Sequence, residues 1–92
     1  MTSIDLSNMN LSELPTLPND LIELNCSGNC LTFLPEFPEG LLKLDCSRNK
    51  LTDLPNSLNY LNCSDNKLTY LPDLPKPLTY LKCHNNILTC LS

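Results

Sequence analysis

Tryptophan is absent from this 92-residue chain, the aromatic residues together make up 5% of it, and glycine occurs only at Gly28 and Gly40. A domain this short buries its surface only marginally if it folds as an ordinary globule, so some economy of construction is needed. Leucine supplies it: 22 of the 92 positions carry this one apolar shape. Basic residues are also scarce. Residues 1–40 hold six acids (Asp5, Glu13, Asp20, Glu23, Glu36, Glu39) and no base, whereas residues 41–92 hold four acids and all six bases, for a net charge of −4. That balance argues against nucleic acid, because affinity for a phosphate backbone rests on clustered lysine and arginine. It also predicts a molecule that is bipolar along its length, able to steer an approaching partner.

Long apolar runs are missing too, and no stretch comes near the roughly 18 residues that a bilayer-crossing helix requires. With no basic start followed by an apolar segment, the expected setting is soluble and cytoplasmic, without a membrane partner. Asn-x-Ser triplets at Asn10, Asn25 and Asn62 are then by-products of a repeated frame. Catalytic machinery is lacking as well. No nucleophile stands beside a base and no acid pair is framed for proton transfer, so the chain is expected not to be an enzyme and to use no cofactor.

What the chain does have is one phrase repeated in register: "LNCSGNCLTFLPEFP" from Leu24, "LDCSRNKLTDLPNS" from Leu44, "LNCSDNKLTYLPDLP" from Leu61 and "LKCHNNILTCLS" from Leu81. The whole is read as one domain. Residues 1–20 form a degenerate capping unit around "IDLSNMNLSELPTLP", 21–40, 41–57 and 58–77 are full units, and 78–92 is a truncated last one. The 17-residue unit lacks the second x-Leu-Pro step, a loss expected to shorten the outer loop and leave the strand untouched. In "YLNCS", alternation sends Leu61 and Cys63 to one face and Tyr60, Asn62 and Ser64 to the other, which is a short strand. Pro55, Pro72 and Pro75 remove backbone donors and fix φ, so the return segments are expected to be extended or polyproline-like. Units stacked about 4.8 Å apart would then build a parallel sheet on one side of a solenoid.

The unit L-x-x-L-x-C-S-x-N-x-L-T-x-L-P-x-L-P resembles the leucine-rich repeat, with cysteine in the third apolar place. In its length and its LPxLP segment it is similar to the short repeats of bacterial secreted effectors, and to leucine-rich-repeat proteins of some large DNA viruses. The resemblance covers essentially the whole chain. It implies an α/β-type leucine-rich-repeat solenoid, nearly helix-free, with a short parallel sheet on the concave face and extended convex segments. It also implies a non-catalytic module that binds a protein partner, in the host-cell cytoplasm if the source is a pathogen. Some of those effectors join their repeats to a ubiquitin-ligase domain, which these 92 residues are not expected to hold, so a targeting subunit of such a complex is an alternative.

Asn29, Asn49, Asn66 and Asn86 share one column, where a carboxamide can satisfy backbone groups left unpaired as the chain turns inward. Met9 interrupts that column in the first unit. Thr32, Thr52, Thr69 and Thr89, with Ser12 in the first unit, form a second column expected to be structural. Cys26, Cys46, Cys63 and Cys83 replace an inward leucine and are expected to pack in the core as reduced, small hydrophobes. A disulfide scaffold needs an oxidising compartment, and a bridge between stacked units needs local distortion, since Cβ atoms about 4.8 Å apart exceed the mean of about 3.8 Å for a bridge. Zinc is disfavoured because no CxxC pair exists and Cys83 and His84, adjacent in a strand, point to opposite faces. Cys30 and Cys90 lie outside the inward column and are the expected exposed thiols.

The frame is constant while the outward positions vary, so the candidate partner-binding residues are Lys43, Asp45, Arg48, Tyr60, Asn62, Asp65, Tyr80, Lys82 and His84. Tyr60 and Tyr80 are expected to be neighbours, and tyrosine and arginine are enriched at interface hot spots. A second reading is self-assembly: Leu81, Leu88 and Leu91 would leave an apolar C-terminal edge that a second copy could cover as a homodimer.

Overall fold

A computed structural model describes residues 2–38, 40–53, 58–68 and 80–86. Every unit contributes one strand: β1 (Thr2–Asp5), β2 (Leu21–Asn25), β3 (Lys43–Asp45), β4 (Tyr60–Asn62) and β5 (Tyr80–Lys82). They lie in one sheet in chain order, all parallel. No helix occurs among the described residues, and none there could cross a membrane. The fold is a parallel-strand solenoid of the leucine-rich-repeat type.

Register follows the repeat. Glu23 pairs with Lys43, Lys43 with Tyr60 and Tyr60 with Tyr80, while Leu24, Leu44, Leu61 and Leu81 form the middle row. The step from Lys43 to Tyr60 is three residues shorter than the step from Tyr60 to Tyr80, yet both land in the same register. The deletion is therefore absorbed outside the sheet. One irregularity occurs between Thr2 and Ser3, where pairing jumps from Leu21 to Glu23.

Three coils each insert three leucines and a cysteine into the core: Leu21, Leu24, Cys26 and Leu31; Leu41, Leu44, Cys46 and Leu51; Leu58, Leu61, Cys63 and Leu68. All twelve are at most 3% exposed, and each buried leucine contributes about 1.5–3 kcal/mol by removal from water. Ile4, Leu6, Leu11, Leu14, Leu17 and Cys83 pack against this core from coils that cover it only partly. Residues 11–18 and 31–38, which include Pro15, Pro18, Pro35 and Pro38, are neither helix nor strand. Pro55, Pro72 and Pro75 lie outside the described residues.

Past each strand the backbone turns through the left-handed region, at Asn8 (φ 55°), Gly28 (67°), Arg48 (54°), Asp65 (58°) and Asn85 (57°). Glycine, asparagine and aspartate tolerate this conformation, and Arg48 is the residue of this column that does so least readily. At Gly28 a Cβ would also run into the Asn8 carboxamide. The turn reverses the direction of backbone donation. Before it, Cys26 N donates to Asp45 O (2.8 Å) and Gly28 N to Ser47 O (3.0 Å), toward the following coil; after it, Lys50 N donates to Leu31 O (2.8 Å) and Lys67 N to Leu51 O (2.9 Å), toward the preceding one.

The asparagine column bridges the seam this reversal leaves. Asn49 accepts from Leu31 N at 3.0 Å through Oδ1, while its Nδ2 donates to the carbonyls of Cys26 (3.0 Å), Cys46 (3.1 Å) and Ser47 (3.1 Å). Asn66 repeats the pattern with Leu51, Cys46, Cys63 and Ser64. Asn29 repeats it toward the first unit, accepting from Leu11 N (2.9 Å) and additionally from Met9 N (3.1 Å) and donating to Leu6 O (2.9 Å); Met9, in the asparagine's place of that unit, is 55% exposed. No buried side-chain nitrogen or oxygen among the described residues lacks a partner.

Two expectations need correction. Ser64, assigned to the outward face with Tyr60 and Asn62, is 2% exposed, and Ser27 and Ser47 are buried with it. The strand stops at the preceding Asx residue, so alternation no longer governs the serine. Thr32 and Thr52, in contrast, are exposed and carry no core role; Thr69 and Thr89 lie outside the described residues.

Candidate functional site

The open face of the sheet is made of two rows of outward side chains. The first is Ser3, Glu23, Lys43, Tyr60 and Tyr80, and the second is Asp5, Asn25, Asp45, Asn62 and Lys82. Strand pairing alone brings six of the proposed binding residues (Lys43, Asp45, Tyr60, Asn62, Tyr80 and Lys82) onto this face. Within the first row the two tyrosine rings stack, with centroids 4.3 Å apart and planes 3° from parallel. The Lys43 ammonium stands 5.9 Å from the Tyr60 ring centroid, within reach of its negative face. Partial burial, and then the neighbouring Tyr80, hold the Tyr60 hydroxyl above its ordinary pKa.

The second row has a structural duty that the sequence pattern did not reveal. Asp45 Oδ1 accepts from Ser47 N (3.1 Å) and Ser47 Oγ (2.7 Å), Asn25 does the same for Ser27, and Asp5 for Ser7. Asn62 receives Ser64 N at 3.3 Å. These Asx turns hold the serine inward two residues after Asn25, Asp45 and Asn62, where it is buried, while Ser7 after Asp5 is half-buried. The recurring Asx-x-Ser triplet was the available signal. In the last coil both members are replaced, by Lys82 and His84, and the His84 Nδ1 meets Ser64 Oγ at 3.2 Å instead.

Arg48 and Asp65 sit in the left-handed turns beside the sheet and not on its strands, and Asp65 Oδ1 accepts from Asn85 Nδ2 at 2.8 Å. His84 likewise lies beyond the end of β5. The proposed set thus divides into a strand group and a rim group. The structure adds Ser3, Asp5, Glu23 and Asn25, which line, together with Lys43, Asp45 and Tyr60, a depression of about 370 Å³ over β1 to β4. A second depression, of about 340 Å³, lies on the return segments between Pro15–Asn19 and Pro35–Pro38.

The cysteines are part of the core and not of this face. Cys26, Cys46 and Cys63 are fully buried free thiols, Cys83 is half-buried, and Cys30 is exposed, 3.5 Å from Asn10 Oδ1. Burial, helped by the Asp45 charge at Cys26 and by Cys83 at Cys63, pushes both of these thiols up to about 12, and burial pushes Cys46 well up too. Cys90 lies outside the described residues. Among the described residues no group of three or more histidine, cysteine or acidic side chains is placed to hold a metal ion.

The profile of the Leucine Rich Repeat family matches residues 20–41, 40–61 and 57–78. No curated protein matches the chain. Among solved structures it is similar to YopM from Yersinia enterocolitica WA-314, with 36% identity over 89% of this chain and a TM-score of 0.82. It is also similar to a Shigella effector LRR domain, with 34% identity over 98% of this chain and a TM-score of 0.69. The chain spans 19% of the first structure's length and 52% of the second's. Five parallel strands in repeat register, the asparagine seam and the profile match together make this chain a member of the leucine-rich repeat family.

Proposed function

We propose that this protein is a non-catalytic protein-binding module whose partner sits on the open, concave face of the sheet. Leucine-rich repeats serve generally as interaction modules, and the observation that carries the reading is the row Lys43, Tyr60 and Tyr80. Two stacked rings and a cation occupy a sheet face that this small core does not need for its own packing. Tyr80 keeps 38% of its surface exposed, an amphipathic ring available to a partner. Asp45, Asn62 and Lys82 extend the surface along the second row, and Arg48, Asp65 and His84 form its rim. The likeness to the Yersinia and Shigella proteins supports a pathogen factor acting on host proteins in the host cytoplasm. Once a partner has been captured, replacing both tyrosines by alanine is expected to weaken its binding by about 30-fold, the scale of a hot spot. Unchanged affinity would remove the face from the interface.

A second reading is self-assembly through the β5 edge, favoured by Leu81, which is 38% exposed where its counterpart Leu61 is 1% exposed. Sedimentation of the pure protein decides between them: a monomer at high micromolar concentration excludes a stable edge-mediated dimer.

A further inference from the structure

The depression over β1 to β4 has a chemistry of its own. Its charged lining is Asp5, Glu23 and Asp45 against one cation, Lys43, whose ammonium stands over the Tyr60 ring. Asp5 and Asp45 are clamped through Oδ1 by Ser7 and Ser47, which fixes each carboxylate and leaves its Oδ2 without a hydrogen bond among the described residues. The Ser7 bonds also hold the Asp5 carboxyl below its ordinary pKa. Glu23 is exposed, and no base precedes Lys43 in the chain. Asp5 and Asp45 stand in the same row two strands apart, a separation of roughly 10 Å. One turn of polyproline II advances about 9.3 Å and returns its side chains to the same side every third residue. The Tyr60 ring closes one end of the depression as an apolar wall.

We propose that this face binds an extended, polyproline-like basic segment of a protein partner, with two cationic side chains three residues apart engaging Asp5 and Asp45. This rests on the concave-face reading above and adds the partner's chemistry to it. Such a segment is already extended when free, so little chain entropy is lost on docking.

The test uses two blocked peptides of identical composition and charge, Pro-Arg-Pro-Pro-Arg-Pro and Pro-Pro-Arg-Arg-Pro-Pro, titrated into isotopically labelled protein at near-physiological salt. The spaced peptide is expected to bind several-fold more tightly and to shift amides of Ser3–Asp5, Glu23–Asn25 and Lys43–Asp45. The double variant Asp5→Asn, Asp45→Asn should weaken it by about tenfold, two exposed charge contacts' worth. Asparagine holds the same column at Asn25, where it accepts both serine bonds, and at Asn62, where it accepts the backbone one, so the fold tolerates this change. The control Asp20→Asn, Glu36→Gln removes equal charge away from the depression and should leave binding unchanged. Equal affinity for the two peptides, or equal loss in the control, overturns the proposal. If the peptides fail while a natural partner still depends on Tyr60 and Tyr80, the basic segment is wrong and the module stands; if no partner depends on the tyrosines, the module reading fails first.

Discussion

The second to fourth coils and the last one are spelled almost alike and live in different environments. Leu24, Leu44 and Leu61 are at most 1% exposed, whereas Leu81, in the same place of the repeat, is 38% exposed. Cys26, Cys46 and Cys63 are fully buried and Cys83 is half-buried. Asn29, Asn49 and Asn66 are buried; Asn86 makes the same kind of bonds, to Leu68 N and to the carbonyls of Cys63, Cys83 and His84, in a half-buried setting. The difference lies in neighbours: β3 is flanked by β2 and β4, while among the described residues β5 pairs only with β4. In a solenoid, then, burial belongs to a stack of coils and not to the residue that occupies it.

The contrast can be broken by substitution. Leu44→Ala, which opens a cavity between two covered coils, is expected to cost about 2–5 kcal/mol, and Leu81→Ala less than about half of that, read from urea midpoints at constant slope. Equal losses would mean that β5 is covered as well as β3. Next in size, Asn49→Ala strands Leu31 N and shares of three carbonyls, an expected loss of about 2–3 kcal/mol, and Asn86→Ala should cost less because solvent can replace its bonds. Thermal unfolding of the two variants orders them.

The smallest effects concern the thiols. Among the five described thiols, Cys30 should react first with a thiol reagent in the native protein, Cys83 next, and Cys26, Cys46 and Cys63 only on unfolding; fast native labelling of the last three would refute the buried column. Their raised pKa values also set a pH dependence. Folding favours the neutral thiol, so this contribution is complete below the ordinary value of 9.0 and is lost as pH climbs through about 12. Replacing Cys26 and Cys63 with alanine should flatten the fall in melting temperature across that alkaline window.

Much of this was legible in the residues. The strand positions, the register across the 17-residue unit, the asparagine seam, the buried cysteines and the Tyr60–Tyr80 contact all follow from aligning the repeat, because stacked identical units leave register no freedom. The serine column was not legible, since period-two alternation ends where the strand ends. Nor was the left-handed column, although Asn8, Gly28, Asp65 and Asn85 are residues that tolerate it; Arg48 obscured the signal. Nor did the repeat single out Glu23 and Asn25, because alternation says that a residue faces outward and not that it walls a depression.

By itself the order of residues settled which side chains stack upon which, since a repeated frame with leucine and asparagine at constant intervals has one register that buries the first and pairs the second. Only the assembled coils decided how deeply each copy is buried, which oxygens the serines occupy, and where the sheet face hollows. Those properties arise from neighbours in space, and no single unit contains them.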